Sequence, residues 1–166
     1  MELLQIYHPQ IPGFLSRLSR TEEMLRLKGV GMDCGCEYTD YPAYRGCPPA
    51  SRYEHSLGVA LIIWHFTGSR KQAIAGLFHD ISTPVFSHTV DFLNRDYMQQ
   101  ESTEAGTREI IGRSGRICAL LEEYGVSQES VRDYHRYPIA DNDSPRLSAD
   151  RLEYTLRNFM RYEGKT

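Results

Sequence analysis

Histidine and aspartate recur at three points of this sequence, in a pattern that could bind a metal ion. His79 and Asp80 are adjacent at the end of the apolar run "AIAGLF". His55 lies upstream in "RYEHSLGV", and Asp150 lies downstream in "ADRLEY". Imidazole and carboxylate groups are suitable ligands for divalent Mn, Fe, Co, Ni, Zn or Mg. Two histidines and two aspartates would leave room on an octahedral ion for a water molecule and a phosphate oxygen, as phosphate-ester hydrolysis requires.

Each of these residues also has an ordinary interpretation. A lone histidine on an apolar helix, such as His55, is most often a core residue with a hydrogen-bond partner. His79 and Asp80 could end a helix whose dipole favours a cation, and Asp150 could lie on a solvated face. The metal site is therefore predicted from the four residues as a set and not from any one of them.

The elements that must position these residues are predicted to be helices, because apolar residues recur at helical spacing along most of the chain. Ser51 is a suitable N-cap for the helix that carries His55, and a second apolar helix ends at His79. Thr83 and Pro84 are typical of the N-cap and first position of the next helix. The predicted helices include segments at about 14–28, 52–66, 70–80, 84–95, 127–136 and 145–163, while residues 29–49 are predicted to form a long irregular loop.

Length and composition indicate a globular protein with a single domain at residues 1–166. The sequence has 40% apolar residues, 25% charged residues and a net charge of −3, which argues against general nucleic-acid binding. The apolar run "LGVALIIWHF" is about half the length that a membrane span needs, and prolines interrupt the N-terminal segment where a signal peptide would be apolar. A cytoplasmic protein without membrane contact is therefore expected, and an oligomer is possible.

Taken together, these segments resemble the HD-domain metal-dependent phosphohydrolases, whose signature is H…HD…D. Within that superfamily the sequence is most similar to the deoxynucleotide triphosphohydrolase-like branch. That branch has an arginine three residues before the first histidine, an "FSH" segment with an aspartate after the HD pair, and a tyrosine and an arginine after the last aspartate. The matching residues here are Arg52, His88 with Asp91, Tyr154 and Arg157. The resemblance covers residues 52–157.

The resemblance implies an all-α HD-domain helical bundle of about seven helices, with the irregular loop near residues 29–49. It also implies a divalent metal cofactor and a small-molecule phosphate ester or nucleotide as the partner. The implied site residues fall into three groups: metal ligands His55, His79, Asp80 and Asp150; substrate-binding residues Arg52, Tyr154 and Arg157; and catalytic residues His88 and Asp91, with His88 as the proton carrier.

The sequence departs from the branch at three places. Thr83 occupies a position where the related enzymes usually carry a histidine, and Gln100 precedes Glu101 where they carry a His-Glu pair. Members of the branch also continue further after the last aspartate, so a C-terminal truncation relative to longer relatives is one interpretation. The metal ligands are unaffected, and simple phosphate-ester hydrolysis is favoured over triphosphohydrolysis.

Two functions follow from these observations. The first is a metal-dependent phosphohydrolase that hydrolyses a nucleotide or related phosphate ester through a metal-activated water. The alternative is a catalytically impaired HD-domain module, which binds metal and nucleotide as a sensor or scaffold. The departures at Thr83 and Gln100 are what keep the alternative open.

Overall fold

A computed structural model describes residues 3–33, 35–36, 39–42, 44–45, 49–87, 89–93, 95 and 106–163, with the side chains at 91, 92 and 163 excepted. This part of the chain forms nine α-helices: α1 (Leu3–Tyr7), α2 (Gly13–Leu18), α3 (Glu22–Leu25), α4 (Arg52–Thr67), α5 (Arg70–Phe78), α6 (Thr89–Leu93), α7 (Thr107–Arg113), α8 (Gly115–Glu123) and α9 (Ala149–Glu163). Short 3-10 helices occupy Arg26–Gly29, Gln128–Ser130 and Tyr134–Arg136. The all-α prediction is confirmed, and several of the helices are only one or two turns long.

Helix α4 is the central element of the fold, since its residues from 55 to 63 are all buried. It begins at a capping box, in which Ser51 Oγ accepts from the Glu54 N–H at 3.3 Å and Glu54 Oε2 accepts from the Ser51 N–H. This confirms Ser51 as the N-cap. The helix ends at Gly68, which has a φ of 58° and so adopts the left-handed conformation that glycine tolerates. Both ends of α4 are therefore set by local sequence.

Helices α1, α5 and α9 pack against α4 and enclose one hydrophobic cluster. The approach of α5 is close because Gly76 has no side chain, and a Cβ there would collide with Ile63 Cδ1 of α4. Helix α5 ends at Phe78, so His79 and Asp80 follow at its C-terminal end, where both are buried. None of the helices in the described ranges is both long and apolar enough to cross a lipid bilayer.

The prediction of one continuous helix at 14–28 is wrong, because the structure divides this range into α2, α3 and a 3-10 helix. Helix α2 ends at Leu18, and the Thr21 hydroxyl and N–H both bond to the Leu18 carbonyl, which turns the chain before α3. The Arg26–Gly29 segment then tightens into a 3-10 helix. From there Arg26 donates to the carbonyls of Ile81 and Thr83 at 2.6 and 2.8 Å. Contacts with a distant segment thus override the local helical pattern.

The expected helix starts at residues 84 and 127 are also wrong. Residues 84–87 form a turn, closed by the Ser87 N–H bonding to the Pro84 carbonyl at 2.9 Å, and α6 begins only at Thr89. Residues 127–136 contain two 3-10 helices in place of one α-helix. Val131 and Tyr134 are the buried residues of this segment; Val131 directly follows the first 3-10 helix and Tyr134 begins the second.

A substitution at the α4–α5 contact should show how strongly the stability of the fold depends on the close approach of these two helices. Gly76→Ala would overpack the contact with Ile63, at a cost of about 1–3 kcal/mol. This cost exceeds the roughly 0.5–1 kcal/mol that alanine gains over glycine inside a helix. We expect a lower free energy of unfolding in chemical denaturation. Gly115→Ala is the matched control, because a Cβ at Gly115 meets no atom within 4 Å; an equal loss in both variants would contradict the packing argument.

Candidate metal centre

His55 is located in the first turns of α4 and is buried, with its ring pointing toward α9. Its Nε2 atom lies 2.9 Å from Asp150 Oδ1 and 3.3 Å from the Nε2 atom of His79. The two imidazole rings meet edge to face, with centroids 5.1 Å apart. The Nε2 atoms of both histidines are therefore directed at the same small volume.

His79 directly follows the last residue of α5 and remains buried. Its Nδ1 atom bonds to the carbonyl of Gly76 at 2.7 Å. Because a carbonyl only accepts, Nδ1 carries the proton in this bond and Nε2 has a lone pair available for a metal. Nε2 lies 3.4 Å from Asp80 Oδ2 and 3.9 Å from Asp150 Oδ1, and the ring of Tyr134 packs against the other side of the imidazole at 5.3 Å.

The structure thus brings together the four residues that the sequence suggested as ligands. Nitrogen and oxygen atoms of His55, His79 and Asp80 lie within 4.8 Å of one another, and the contacts of Asp150 place it beside the same atoms. Ligand atoms about 2.0–2.2 Å from one ion are separated by distances in this range. Two imidazoles and two carboxylates could therefore hold a divalent metal, and their role as ligands stays a prediction.

Asp80 is held in its position by two donors. Arg52 Nη1 donates to both oxygens of the carboxylate, at 2.7 and 2.9 Å, and the Thr83 hydroxyl donates to Oδ1 at 2.8 Å. Burial alone would raise the pKa of Asp80, but His79 and the Arg52 guanidinium hold it well below its usual range. Thr83 thus orients a candidate ligand.

Arg52 also connects the centre to the chain that follows the HD pair. Its Nε donates to Ser87 Oγ at 2.9 Å, and that hydroxyl donates in turn to the Gly31 carbonyl at 3.2 Å. Ser87 has a φ of 46°, a left-handed backbone conformation that is uncommon for a residue with a side chain. The two hydrogen bonds of its hydroxyl offset the strain of this conformation.

Glu153 is the principal residue of the site that the sequence analysis missed. It lies one turn after Asp150 on α9 and is 0% exposed. Its Oε2 atom is 2.5 Å from His55 Nδ1, and its Oε1 atom accepts from Arg157 Nε at 2.9 Å and from the Tyr7 hydroxyl at 3.3 Å. The spacing of three residues from Asp150 on one helix face was the available signal.

These carboxylates determine the ionisation of the site. Burial disfavours a charged His55, but hydrogen bonds to Asp150 and Glu153 prevail and raise the pKa of His55 to about 10. Burial likewise tends to raise the pKa values of Asp150 and Glu153, whereas their bonds to His55 lower both. In the absence of a metal, His55 is therefore an imidazolium between two carboxylates at neutral pH.

The residues predicted to bind substrate lie around this centre in different environments. Arg52 and Arg157 are buried and contact Asp80 and Glu153 respectively, whereas the Tyr154 side chain is 49% exposed. His88 lies outside the described residues, and of Asp91 only the backbone, within α6, is described. The substrate-binding and catalytic roles of all five residues stay predictions.

A cavity of about 210 Å³ opens beside His79. It lies between the end of α5, the start of α7 and the Tyr134–Arg136 segment. Its lining includes the polar side chains of Thr107, Arg108, Arg132, Asp133 and His135. Of these groups, Arg132 bonds to Gln128 and His135 bonds to Asp141 at 3.0 Å. The cavity therefore offers space and cationic groups next to a candidate ligand.

Two curated proteins are similar to this chain over most of its length, while no protein-family model matches it. The uncharacterized protein YdhJ of Bacillus subtilis is 33% identical over 165 residues, 98% of this chain and 49% of that protein. The metal-dependent phosphohydrolase cns2 of Cordyceps militaris is 26% identical over 148 residues, 89% of this chain and 41% of that protein. The chain thus spans about half the length or less of these relatives. The second similarity, together with the His55, His79 and Asp80 cluster, supports a relationship to the metal-dependent phosphohydrolases.

Proposed function

We propose that this protein is a metal-dependent phosphohydrolase that acts on a nucleotide or related phosphate ester. The observation that carries the proposal is the convergence of two imidazole Nε2 atoms and two aspartates in one site, in which His55, His79 and Asp80 are buried and Asp150 is partly exposed. A divalent metal in such a site supplies Lewis acidity, which stabilises charge on phosphate and makes a water molecule a stronger nucleophile. The similarity to a protein named as a metal-dependent phosphohydrolase supports the same reaction class.

The residues of this chain have separate tasks in the proposed reaction. His55, His79, Asp80 and Asp150 hold the ion, and the donors around Asp80 keep that carboxylate ionised and correctly oriented. Arg157 and Tyr154, on the same helix as Asp150, are proposed to approach the phosphate or sugar. His88, oriented by Asp91, is proposed to exchange the proton that hydrolysis requires.

The proposed substrate is a small phosphate ester, with a nucleotide as the first choice. The motif set from residue 52 to residue 157 resembles the deoxynucleotide triphosphohydrolase-like branch, which supports a nucleotide. Thr83 bonds to Asp80 in place of a family histidine, which favours a simpler ester over triphosphate cleavage. The cavity beside His79 has arginine side chains at its edge, as an anionic substrate would need.

Metal binding should compete with protonation of His55. The imidazolium must lose its Nε2 proton before a metal can bind, and Asp150 and Glu153 raise the pKa of His55 to about 10. At pH values below that pKa, the apparent affinity for Mn²⁺ should increase roughly tenfold for each unit by which the pH is raised, and each binding event should release one proton. Calorimetry in buffers of different ionisation enthalpy, at about pH 7 and about pH 8, measures both quantities. An affinity independent of pH would contradict the assignment of His55 as a ligand.

Removal of the HD pair should abolish metal binding and hydrolysis together. The double variant His79→Ala, Asp80→Ala lacks two of the four proposed ligands, so metal analysis and a phosphate-release screen with Mn²⁺, Fe²⁺, Co²⁺ or Ni²⁺ should both show loss. His65→Ala, Asp143→Ala is the matched control, because both side chains are exposed and neither residue is a proposed ligand. Activity retained in the HD variant would overturn the proposed site.

The same screen separates the enzyme from the alternative module. Turnover of any nucleotide or phosphate ester by the metal-loaded protein supports the phosphohydrolase. Tight nucleotide binding without product, measured by calorimetry, would instead favour a sensor or scaffold.

A further inference from the structure

We propose that Glu153 is a positioning residue for the metal centre, which fixes the ring orientation and proton location of His55 so that Nε2 faces the metal. This inference rests on the proposed function, since it concerns how one of the proposed ligands is held. Glu153 itself is directed away from the ligand cluster and touches the opposite edge of the His55 ring.

The first line of support is the completeness of the contacts around a fully buried carboxylate. Oε2 bonds to His55 Nδ1 at 2.5 Å, while Oε1 accepts from Arg157 and from the Tyr7 hydroxyl. A buried carboxylate is costly unless it is paired and hydrogen-bonded. Three elements, α1, α4 and α9, supply the partners of this one group. Its position is therefore strongly determined by the fold.

The second line of support is the direction of each hydrogen bond. Arg157 and Tyr7 can only donate toward Oε1 in these contacts, so Oε2 is the oxygen left for His55. A carboxylate oxygen accepts, so His55 Nδ1 must carry the proton of that bond. Nε2, the atom that faces Asp150 and His79, is then the nitrogen that can bind a metal once it has lost its own proton. Carboxylate partners of this kind typically change metal affinity by about 10–100-fold when removed.

The third line of support is Gly58, one turn after His55 on α4. A Cβ at this position would lie 2.7 Å from both Cγ and Oε1 of Glu153. The absence of a side chain at residue 58 is therefore what allows Glu153 to reach the ring. Gly58→Ala displaces Glu153 without removing any donor or acceptor, so it tests the position of the carboxylate separately from its charge.

Glu153→Gln gives the sharpest test, because it is nearly isosteric and reverses one hydrogen bond. The glutamine oxygen should stay with the two donors, Arg157 and Tyr7, which directs the amide N–H₂ toward His55 Nδ1. Nδ1 must then accept, so the ring loses its Nδ1 proton and keeps the one on Nε2, which blocks the metal. We expect the Kd for Mn²⁺ to rise about 10–100-fold. Gly58→Ala should weaken binding in the same direction, and Tyr7→Phe to a smaller extent.

The experiment measures Mn²⁺ binding by calorimetry and the His55 ring by long-range ¹H–¹⁵N spectroscopy on the metal-free protein. The wild type should show a protonated, hydrogen-bonded Nδ1 at His55, and Glu153→Gln should show an unprotonated one. Glu109→Gln is the matched control, since Glu109 is exposed on α7 and forms an ion pair with Arg113; its Kd should equal that of the wild type.

The outcomes distinguish this inference from the proposed function. If the wild type binds no metal, the proposed function fails, while the Nδ1 signal still decides the role of Glu153. If the wild type binds Mn²⁺ and neither Glu153→Gln nor Gly58→Ala changes the Kd, the inference is overturned and the metal site stands. Should Glu153→Gln fail to fold, as judged by circular dichroism, the Kd of Gly58→Ala and the wild-type Nδ1 signal decide the question.

Discussion

The rest of this structure depends on the interaction of one imidazole, that of His55, with two carboxylates from α9. Asp150 bonds to Nε2 and Glu153 bonds to Nδ1, so α4 and α9 have only one relative position that satisfies both. A slide of α9 by one residue would bury unpaired charges in the core, which is far more costly than the loss of an apolar contact. The polar centre therefore determines how the two longest helices pack, and the apolar residues fill the space around them.

The same arrangement links the electrostatics of the site to its proposed substrate. Three carboxylates lie beside two guanidinium groups and one imidazolium (Asp80, Asp150 and Glu153; Arg52 and Arg157; His55). Exchange of the imidazolium proton for a divalent cation raises the charge of this buried region by one unit. The metal-loaded site is then better suited to an anion than the metal-free site is, because Coulomb interactions are strong where water is excluded. Phosphate binding and metal binding should accordingly favour each other.

Much of the fold and the candidate ligands could be predicted from the sequence, because those features depend on local patterns. The cap at Ser51, the buried helix after it and the position of His79 at a helix end all follow from residues close together in the chain. The 3-10 helix at Arg26–Gly29 and the late start of α6 could not be predicted, since Arg26 and Ser87 form hydrogen bonds with segments more than 50 residues away. Glu153 was missed for a related reason. A glutamate on a helix normally indicates a solvent-exposed position, and only tertiary packing shows that this side chain is buried.

The contact between Gly58 and Glu153 also has an evolutionary consequence. The two positions share one volume, so they should not vary independently among homologous chains. A chain that keeps glutamate at position 153 is constrained to glycine at position 58. A chain with alanine or a larger residue at 58 should carry a shorter side chain at 153. The pair H-x-x-G and D-x-x-E, read with the HD dipeptide between them, is therefore a coupled signature by which relatives that share this arrangement could be recognised in genomes.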